Sequence, residues 1–110
     1  MLRLLDLKTR PTAVLASNDM TAIGAMGAIF KRGLDIPRDI SLIGFDDIEL
    51  SAFTHPALTT VRLSREEIAR MAFRALYNTY QEGAVEGSEY TIRPTLIVRQ
   101  TTGPRPATKL

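Results

Sequence analysis

Two pairs of polar residues in this 110-residue sequence come directly after apolar runs. Asn18 and Asp19 follow the run TAVLAS, and Asp46 and Asp47 follow the run ISLIGF. Carboxylate and amide groups are costly to bury unless they are solvated, paired or hydrogen-bonded. The same groups hydrogen-bond the hydroxyl groups of a sugar or the N–H groups of a base. The types and positions of these residues therefore favour a site for a small polar ligand.

A strand–helix–strand unit would place these residues. Residues 12–17 and 40–45 read as short buried strands of the kind found inside parallel sheets. The helix between them is expected to begin near Met20 and to end before Gly33, which suits the left-handed position beyond a helix. Such a unit is parallel with a right-handed crossover. Both strands then end at one edge of the sheet, where ligands bind in open α/β folds.

The rest of the chain predicts a third strand, a long helix and a last extended segment. Ser64 and Glu67 form a capping box before the helix, whose apolar residues recur at helical spacing. Pro94 interrupts the last segment because it cannot donate to a central strand ladder. The expected elements after the second strand are a loop with one helical turn (46–57), a strand (58–63), a helix (65–82) ended by Gly83, a polar loop (83–89) and an extended segment (90–100).

Each of the four polar residues also has a structural alternative to ligand contact. Asp and Asn at strand–helix junctions commonly serve as caps or turn formers. Capping is the favoured role for Asp19, and a turn role is favoured for Asp47. For Asn18 and Asp46 the residue types alone leave ligand contact and a structural role evenly balanced.

The helix after the first strand has no charged residue from Thr21 to Phe30. A helix that covers one face of a sheet normally presents a polar stripe to water. One explanation is complete burial of the helix within its own domain, but a chain of 110 residues has little mass to achieve that. We therefore expect a second burial surface, formed by a partner subunit or another domain.

Composition places the chain among ordinary globular proteins, with 45% hydrophobic and 24% charged residues and a net charge of +2. That charge is too small to indicate a nucleic-acid-binding surface by itself. The absence of cysteine excludes disulfides and thiolate metal sites. No signal peptide or membrane-spanning run is evident in this chain, which is compatible with a cytoplasmic location.

Signs of catalysis do not accumulate in the sequence. The single histidine, His55, stands next to Pro56 in a predicted loop, and no nucleophile or second base is placed beside it. Motifs for zinc proteases, serine hydrolases and phosphate-binding loops are absent. We expect neither an enzyme nor a cofactor or metal site.

Four motifs in order carry a resemblance to a known family: PTAVLASND, GLDIPRDISLIGFDD, PALTTVR and TLIVRQTTGP. They cover most of residues 11–104, and together they resemble the sensor domain of LacI/GalR-family transcriptional regulators. The resemblance implies an α/β fold, a partial type I periplasmic-binding-protein-like sensor domain. That fold has a parallel βαβ core, a crossing strand, and a C-terminal helix and strand. Residues 1–104 would be a C-terminal portion without a helix-turn-helix, and residues 105–110 a flexible tail.

The resemblance also implies roles for particular residues. Asn18 and Asp46 are similar to the family's effector-contacting amide and carboxylate, with Asp19 and Asp47 as supporting or capping neighbours. The stretch LTTVR is similar to a segment that crosses between lobes and can act as a hinge. The residues implied at a dimer interface are Ala22, Ile23, Met26, Phe53 and Thr54.

The function implied is the effector-sensing and dimerising part of a cytoplasmic repressor. Its expected partners are a small effector, a sugar or related polar metabolite, and a second copy of the chain. Operator DNA would be contacted only through an N-terminal domain that is absent from this sequence. The alternative is a fragment of a periplasmic sugar-binding protein, which shares the fold.

Overall fold

A computed structural model describes residues 1–82 and 89–105 of the chain. The elements, in order, are α1 (Leu2–Leu5), β1 (Ala13–Leu15), α2 (Asp19–Lys31), β2 (Ser41–Phe45), a 3₁₀ helix (Glu49–Ala52), β3 (Thr59–Arg62), α3 (Arg65–Glu82) and β4 (Thr95–Ile97). The strands form one sheet in the order β1-β2-β3-β4. The predicted helix stop at Gly83, most of the polar loop after it and most of the predicted tail lie outside the described residues.

The chain divides into two compact units. The first contains Met1–Arg62 and the described residues from Leu96 onward, and the second contains the described residues of Leu63–Thr95. The chain therefore leaves the first unit after β3 and returns to it within β4. The residues that the sequence singled out for ligand contact all lie in the first unit.

The central strands of the sheet are parallel, as the sequence predicts. Val14 of β1 lies opposite Leu42 of β2, and Gly44 of β2 lies opposite Thr60 of β3. Helix α2 connects β1 to β2 and packs on β2. The predicted βαβ unit is therefore confirmed, and its strands share a carboxyl edge.

Local capping sets both ends of α2. The side-chain oxygen of Asn18 accepts a hydrogen bond of 2.8 Å from the backbone N–H of Thr21 at the start of the helix. Beyond the other end, Gly33 has a φ of 68°, in the left-handed region that a residue without Cβ adopts at little cost. The predicted glycine stop is confirmed.

The core of the first unit is aliphatic. Burial of this apolar surface is the main driving force for folding. Its buried side chains come from α1, α2, β2 and the loops next to the strands: Leu5, Ala16, Ala22, Ala25, Met26, Ile29, Ile36, Ile40, Leu42 and Leu58.

The burial of α2 corrects part of the predicted dimer interface. Ala22 is 0% exposed and Met26 is 4% exposed, so both side chains point into the core of their own unit. Neither offers surface to a second copy, and their assignment to an interface is wrong. The outward-facing residues of α2 include Met20, Gly27 and Phe30.

In the second unit, α3 begins as predicted. The Ser64 hydroxyl oxygen accepts a hydrogen bond of 3.2 Å from the backbone N–H of Glu67. None of the α3 side chains from Arg65 to Gln81 is buried. The large apolar side chains that α3 exposes are Ile68, Phe73, Leu76, Tyr77 and Tyr80.

Two elements differ from the sequence prediction. The short helix α1 was not predicted, because four residues are too few to show a helical period. Strand β4 covers only Thr95–Ile97 of the predicted 90–100, and it begins directly after Pro94, which lacks the N–H that a ladder needs. Downstream, Thr101 fixes the chain instead: its hydroxyl donates to the Leu42 carbonyl at 2.6 Å.

Candidate functional site

The carboxyl ends of β1 and β2 bring the predicted ligand-contacting residues to one edge of the sheet. Leu15 pairs with Ile43, and the next backbone N–H, that of Ala16, donates to the Ile43 carbonyl at 2.8 Å. Both strands end shortly after this pair, so Asn18 and Asp46 follow neighbouring strand ends in the same direction.

Asn18 has one half of its amide already engaged. Its Oδ1 accepts the Thr21 N–H that caps α2, and the side chain is half-buried. An amide group has one acceptor oxygen and one donor nitrogen. Because the oxygen already bonds the helix, the Asn18 group without a hydrogen bond in the described part of the chain is its Nδ2 donor.

Asp46 has an unusual backbone and an exposed side chain. Its φ is 111°, a conformation that costs a non-glycine residue about 1–3 kcal/mol. Its backbone N–H donates to the Val61 carbonyl of β3 at 2.9 Å. Within residues 1–82 and 89–105, no group forms a hydrogen bond or ion pair with its carboxylate. Asp46 therefore presents a free acceptor at the edge of the sheet.

Asp19 has a different role from the capping predicted for it. Its side chain is 0% exposed and does not bond the helix N–H groups that Asn18 serves. Its Oδ2 accepts from the Ile48 backbone N–H at 2.9 Å and from the Ser51 hydroxyl at 2.6 Å. Its Oδ1 accepts from the Thr60 hydroxyl at 2.5 Å. Asp19 thus joins the start of α2 to the segment after β2 and to β3, and the capping prediction is wrong.

Asp47 lies between two arginines. Its carboxylate is 2.5 Å from Nε of Arg62 and 2.6 Å from Nη2 of Arg99, and its side chain is 7% exposed. Burial raises the pKa of the Asp47 carboxyl, but the hydrogen bonds and positive charges of Arg99 and Arg62 outweigh that effect. The pKa is therefore lowered from its ordinary value.

Because the pKa of Asp47 is lowered, the stabilisation that its ion pairs contribute depends on pH. The carboxylate is favoured more strongly in the folded chain than in the unfolded chain. The stabilisation from its ion pairs is therefore present in full above the ordinary aspartate pKa, and it is lost as the pH falls through the lowered value.

Four residues of this region were not assigned by sequence reasoning: Ser51, Thr60, Arg62 and Arg99. The two hydroxyl residues carry no local signal, because serine and threonine occur in every loop and strand. The arginines had a signal that was not used. Arg62 ends the motif PALTTVR, within the predicted hinge, and Arg99 lies in the middle of TLIVRQTTGP, but neither arginine was given a contact with the site.

An open groove of about 780 Å³ lies between α1, β1 and α2 in the first unit. Its lining is mostly apolar and includes Leu2, Leu15 and Ala28, but neither Asn18 nor Asp46. The polar edge of the sheet, and not this groove, has the chemistry to bind a polar ligand.

His55 is exposed in the loop after the 3₁₀ helix. Among the described residues, no group of three or more His, Asp or Glu side chains is arranged to hold a metal ion. In the same part of the chain, no helix combines the length and the apolar character that crossing a bilayer requires.

A parallel α/β sheet with polar side chains at its carboxyl edge has the arrangement of a ligand-binding α/β domain. Residues 1–102 match the family described as periplasmic binding protein-like domain. The chain belongs to this family, as a C-terminal portion of the kind found in LacI/GalR-type transcriptional regulators.

Two curated relatives illustrate the match. The transcriptional repressor PurR of Pasteurella multocida is 38% identical over 101 residues, which are 92% of this chain and 30% of the relative. A probable repressor, ExuR of Bacillus subtilis, is 44% identical over 102 residues, covering 87% of this chain and 31% of the relative. The chain therefore spans about a third of the length of the curated relatives it matches.

Solved structures agree with this assignment. A putative LacI-family regulator from Sanguibacter keddieii matches with a TM-score of 0.84 and 39% identity, over 94% of this chain and 40% of the other. A dimeric Lac repressor with a C-terminal deletion matches with a TM-score of 0.81 and 36% identity, over 92% and 37%. A LacI-family regulator from Lactobacillus casei with bound sucrose matches with a TM-score of 0.74 and 26% identity, over 92% and 38%.

Proposed function

We propose that this chain is the effector-sensing and dimerising part of a LacI/GalR-type repressor, and that Asn18 and Asp46 contact the effector. One observation carries the proposal. An amide donor and a carboxylate acceptor follow neighbouring strand ends, and the carboxylate, on a strained backbone, has no partner among the described residues. Ligands of open α/β folds bind at this edge of the sheet.

The polarity of the two groups supports a polyhydroxylated effector. Asn18 has its Nδ2 donor to offer, and Asp46 accepts. A hydroxyl group can accept from the first and donate to the second, so neighbouring hydroxyls of a sugar suit both. The related regulator from Lactobacillus casei was solved with sucrose bound. We infer a sugar or a related polar metabolite as the effector class.

The complete regulator would act through differential affinity. An effector that binds one arrangement of the protein more tightly shifts the equilibrium toward that arrangement. DNA would be read by a helix-turn-helix segment elsewhere in the protein, as the names of the curated relatives suggest. This role needs no catalysis by the chain, and it implies that the chain works in the cytoplasm, where operator DNA is found.

Replacing Asn18 by aspartate tests the effector contact without removing the helix cap. Aspartate caps helices about as well as asparagine, but it has an acceptor where Asn18 has its Nδ2 donor. In the complete regulator, we expect Asn18→Asp and Asp46→Asn each to weaken effector affinity by about 10- to 100-fold, because each removes a group that bonds the effector and leaves a polar group of the effector unpaired in the site. Operator binding without effector should stay unchanged. The measurement is fluorescence anisotropy of labelled operator with a panel of sugars.

Asp35→Asn is the matched control for Asp46→Asn, because Asp35 is an exposed carboxylate whose partner is the neighbouring Arg38. It should leave both operator and effector binding unchanged. If Asn18→Asp and Asp46→Asn respond to effector as the unaltered regulator does, neither residue is in the site. If both variants lose operator binding to the same extent as effector response, their role is structural and the proposal fails.

The outward face of α2 supports the proposal of a homodimer. Met20 and Phe30 are exposed apolar residues on this face, and a Cβ built on Gly27 meets nothing within 4 Å. Half-buried Ile23 lies along the same helix, and Phe53 and half-buried Thr54 follow the 3₁₀ helix. The Lac repressor structure similar to this chain is described as dimeric. We propose that a second copy covers the outward face of α2.

Gly27→Lys should separate the two copies without harming the fold. Lysine is a better helix former than glycine, and the position has open space. A two-fold interface carries the substitution twice, so two lysine charges would be brought into an apolar contact surface, where an unpaired charge is strongly unfavourable. The dimer dissociation constant should therefore rise at least about a hundredfold, as measured by sedimentation equilibrium.

Thr12→Lys is the control, since it adds the same charge at an exposed position before β1. Its dissociation constant should match that of the unaltered chain. A dimer of undiminished affinity in Gly27→Lys would show that this face of α2 is not the interface.

A further inference from the structure

Two consecutive non-glycine residues at the edge of the sheet have left-handed backbone conformations. Asp46 has a φ of 111° and Asp47 a φ of 51°. Residues with a Cβ adopt such conformations only when the surrounding structure holds them there, and such residues cluster at functional sites. The question is which contacts hold this pair.

The backbone supplies little of the restraint. The Asp46 N–H donates to the Val61 carbonyl at 2.9 Å, but the Asp47 N–H is 3.4 Å from the Thr60 hydroxyl, which is long for a hydrogen bond. One good bond anchors the amide of residue 46 and leaves rotation about the following bonds open.

The Asp47 side chain supplies much more. Both of its oxygens are engaged, one by Arg62 and one by Arg99. Arg99 is itself fixed, because its Nη1 donates to the Leu58 carbonyl at 2.8 Å and its backbone N–H donates to the Thr59 hydroxyl at 2.9 Å. Its side chain is only 18% exposed. The carboxylate is thus bound to a cation that Leu58 and Thr59 hold in place.

The two arginines also mark where the chain leaves and re-enters the first unit. Arg62 is the last residue before the chain passes into the second unit, and Arg99 comes shortly after its return at Leu96. The Asp47 carboxylate therefore binds one arginine from each of these two chain segments, directly after Asp46 in the chain.

We propose that Asp47 is a positioning residue: its ion pairs with Arg62 and Arg99 hold the left-handed backbone that presents the Asp46 carboxylate to the effector. The part concerning the effector rests on the function proposed above. The part concerning Asp46 geometry can be tested with no effector present, so the two can fail separately.

The test is an NMR comparison of the 110-residue chain with Asp47→Asn and Arg62→Met. A strong intraresidue NOE between amide and α protons reports positive φ at residue 46. Both variants should weaken this NOE, and Asp47→Asn should raise the exchange rate of the Asp46 amide at least about tenfold. The Ile48 amide, which bonds Asp19 and not Asp47, should keep its protection within about threefold.

Arg70→Met is the matched control for Arg62→Met, because it removes an exposed ion pair, with Glu66, in the second unit. It should leave the Asp46 signals unchanged. Arg62→Met provides a test even if Asp47→Asn does not fold. The Arg62 side chain is 54% exposed, and the ion pair between Arg99 and Asp47 would remain in this variant. A positive-φ signature at Asp46 that persists in the folded variants would overturn the proposal.

If the NMR result is as expected but Asp46→Asn leaves effector affinity unchanged in the complete regulator, Asp47 positions a residue that the effector does not touch. If instead the positive-φ signature of Asp46 persists in the variants and Asp46→Asn weakens effector binding, Asp46 contacts the effector without help from Asp47. Each proposal therefore has its own decisive measurement.

Discussion

Asp19→Ala is expected to lower the free energy of unfolding by about 3 kcal/mol or more. The substitution removes one buried carboxylate and leaves three donors without an acceptor: the Ile48 N–H and the hydroxyls of Ser51 and Thr60. Each buried donor left unsatisfied costs about 1–3 kcal/mol. The three groups come from two different segments, so the loss also loosens the loop after β2 from α2.

Urea unfolding of the 110-residue chain, followed by circular dichroism, measures this loss as a lower midpoint with an unchanged slope. Asp19→Asn keeps the shape and one oxygen, and it should fall between the unaltered chain and Asp19→Ala. Asp35→Ala removes an exposed carboxylate and should change stability by less than about 1 kcal/mol. Equal midpoints for Asp19→Ala and Asp35→Ala would mean that the Asp19 hydrogen bonds contribute little.

Gly44→Ala is expected to destabilise the fold by about 2–3 kcal/mol, because the new methyl group has no room. A Cβ at this position would overlap Oδ1 of Asp19 and lie 3.0 Å from Cδ2 of Leu58. Both neighbours are buried and cannot move aside without displacing their own contacts. Overpacking a core site in this way costs about 1–3 kcal/mol.

Gly24→Ala is the matched control, the same chemical change at a helical position where a Cβ meets nothing within 4 Å. Alanine should stabilise an exposed helix site by about 0.5–1 kcal/mol relative to glycine. The melting temperature should therefore fall in Gly44→Ala and rise in Gly24→Ala. A Gly44→Ala melting temperature at or above that of the unaltered chain would show that Asp19 can shift at low cost.

The order and type of most elements in the first unit could be predicted from sequence, because their signals are local. Short apolar runs predict buried strands, and the intervening helix length predicts a parallel crossover. The end of α2 followed from the conformational freedom of Gly33. The short α1 and the start of β4 were missed or misplaced, since very short elements carry no period.

The position of the four polar residues at one sheet edge was predicted, but not the hydrogen bonds that each of them makes. Sequence reasoning put Asn18, Asp19, Asp46 and Asp47 at one sheet edge, and the structure has them at the ends of β1 and β2. Either Asn18 or Asp19 could cap the helix by residue type, and capping was favoured for Asp19, whereas Asn18 makes the cap. Two adjacent residues of similar capping ability cannot be separated by type. Which of the two caps the helix depends on hydrogen-bond partners 29 to 41 residues away, which keep the Asp19 side chain buried.

The direction that α2 faces shows the same limit. A helix without charged residues has no polar stripe, so its sequence period cannot say which side meets the core. Ala22 and Met26 were assigned outward and are buried. The packing of α2 against β2 decides which side of the helix is buried.

The sequence by itself therefore determined the parallel βαβ unit and the polar residues at its carboxyl edge, because these follow from nearest neighbours along the chain. The tertiary structure alone decided what each polar residue does. Arg99 stands 52 residues from Asp47, and no local pattern links them. Aspartate tolerates positive φ better than most residues, but residue type alone does not predict that conformation at Asp46. It exists because contacts distant in sequence meet around it, and contacts of that kind form only when the whole unit folds.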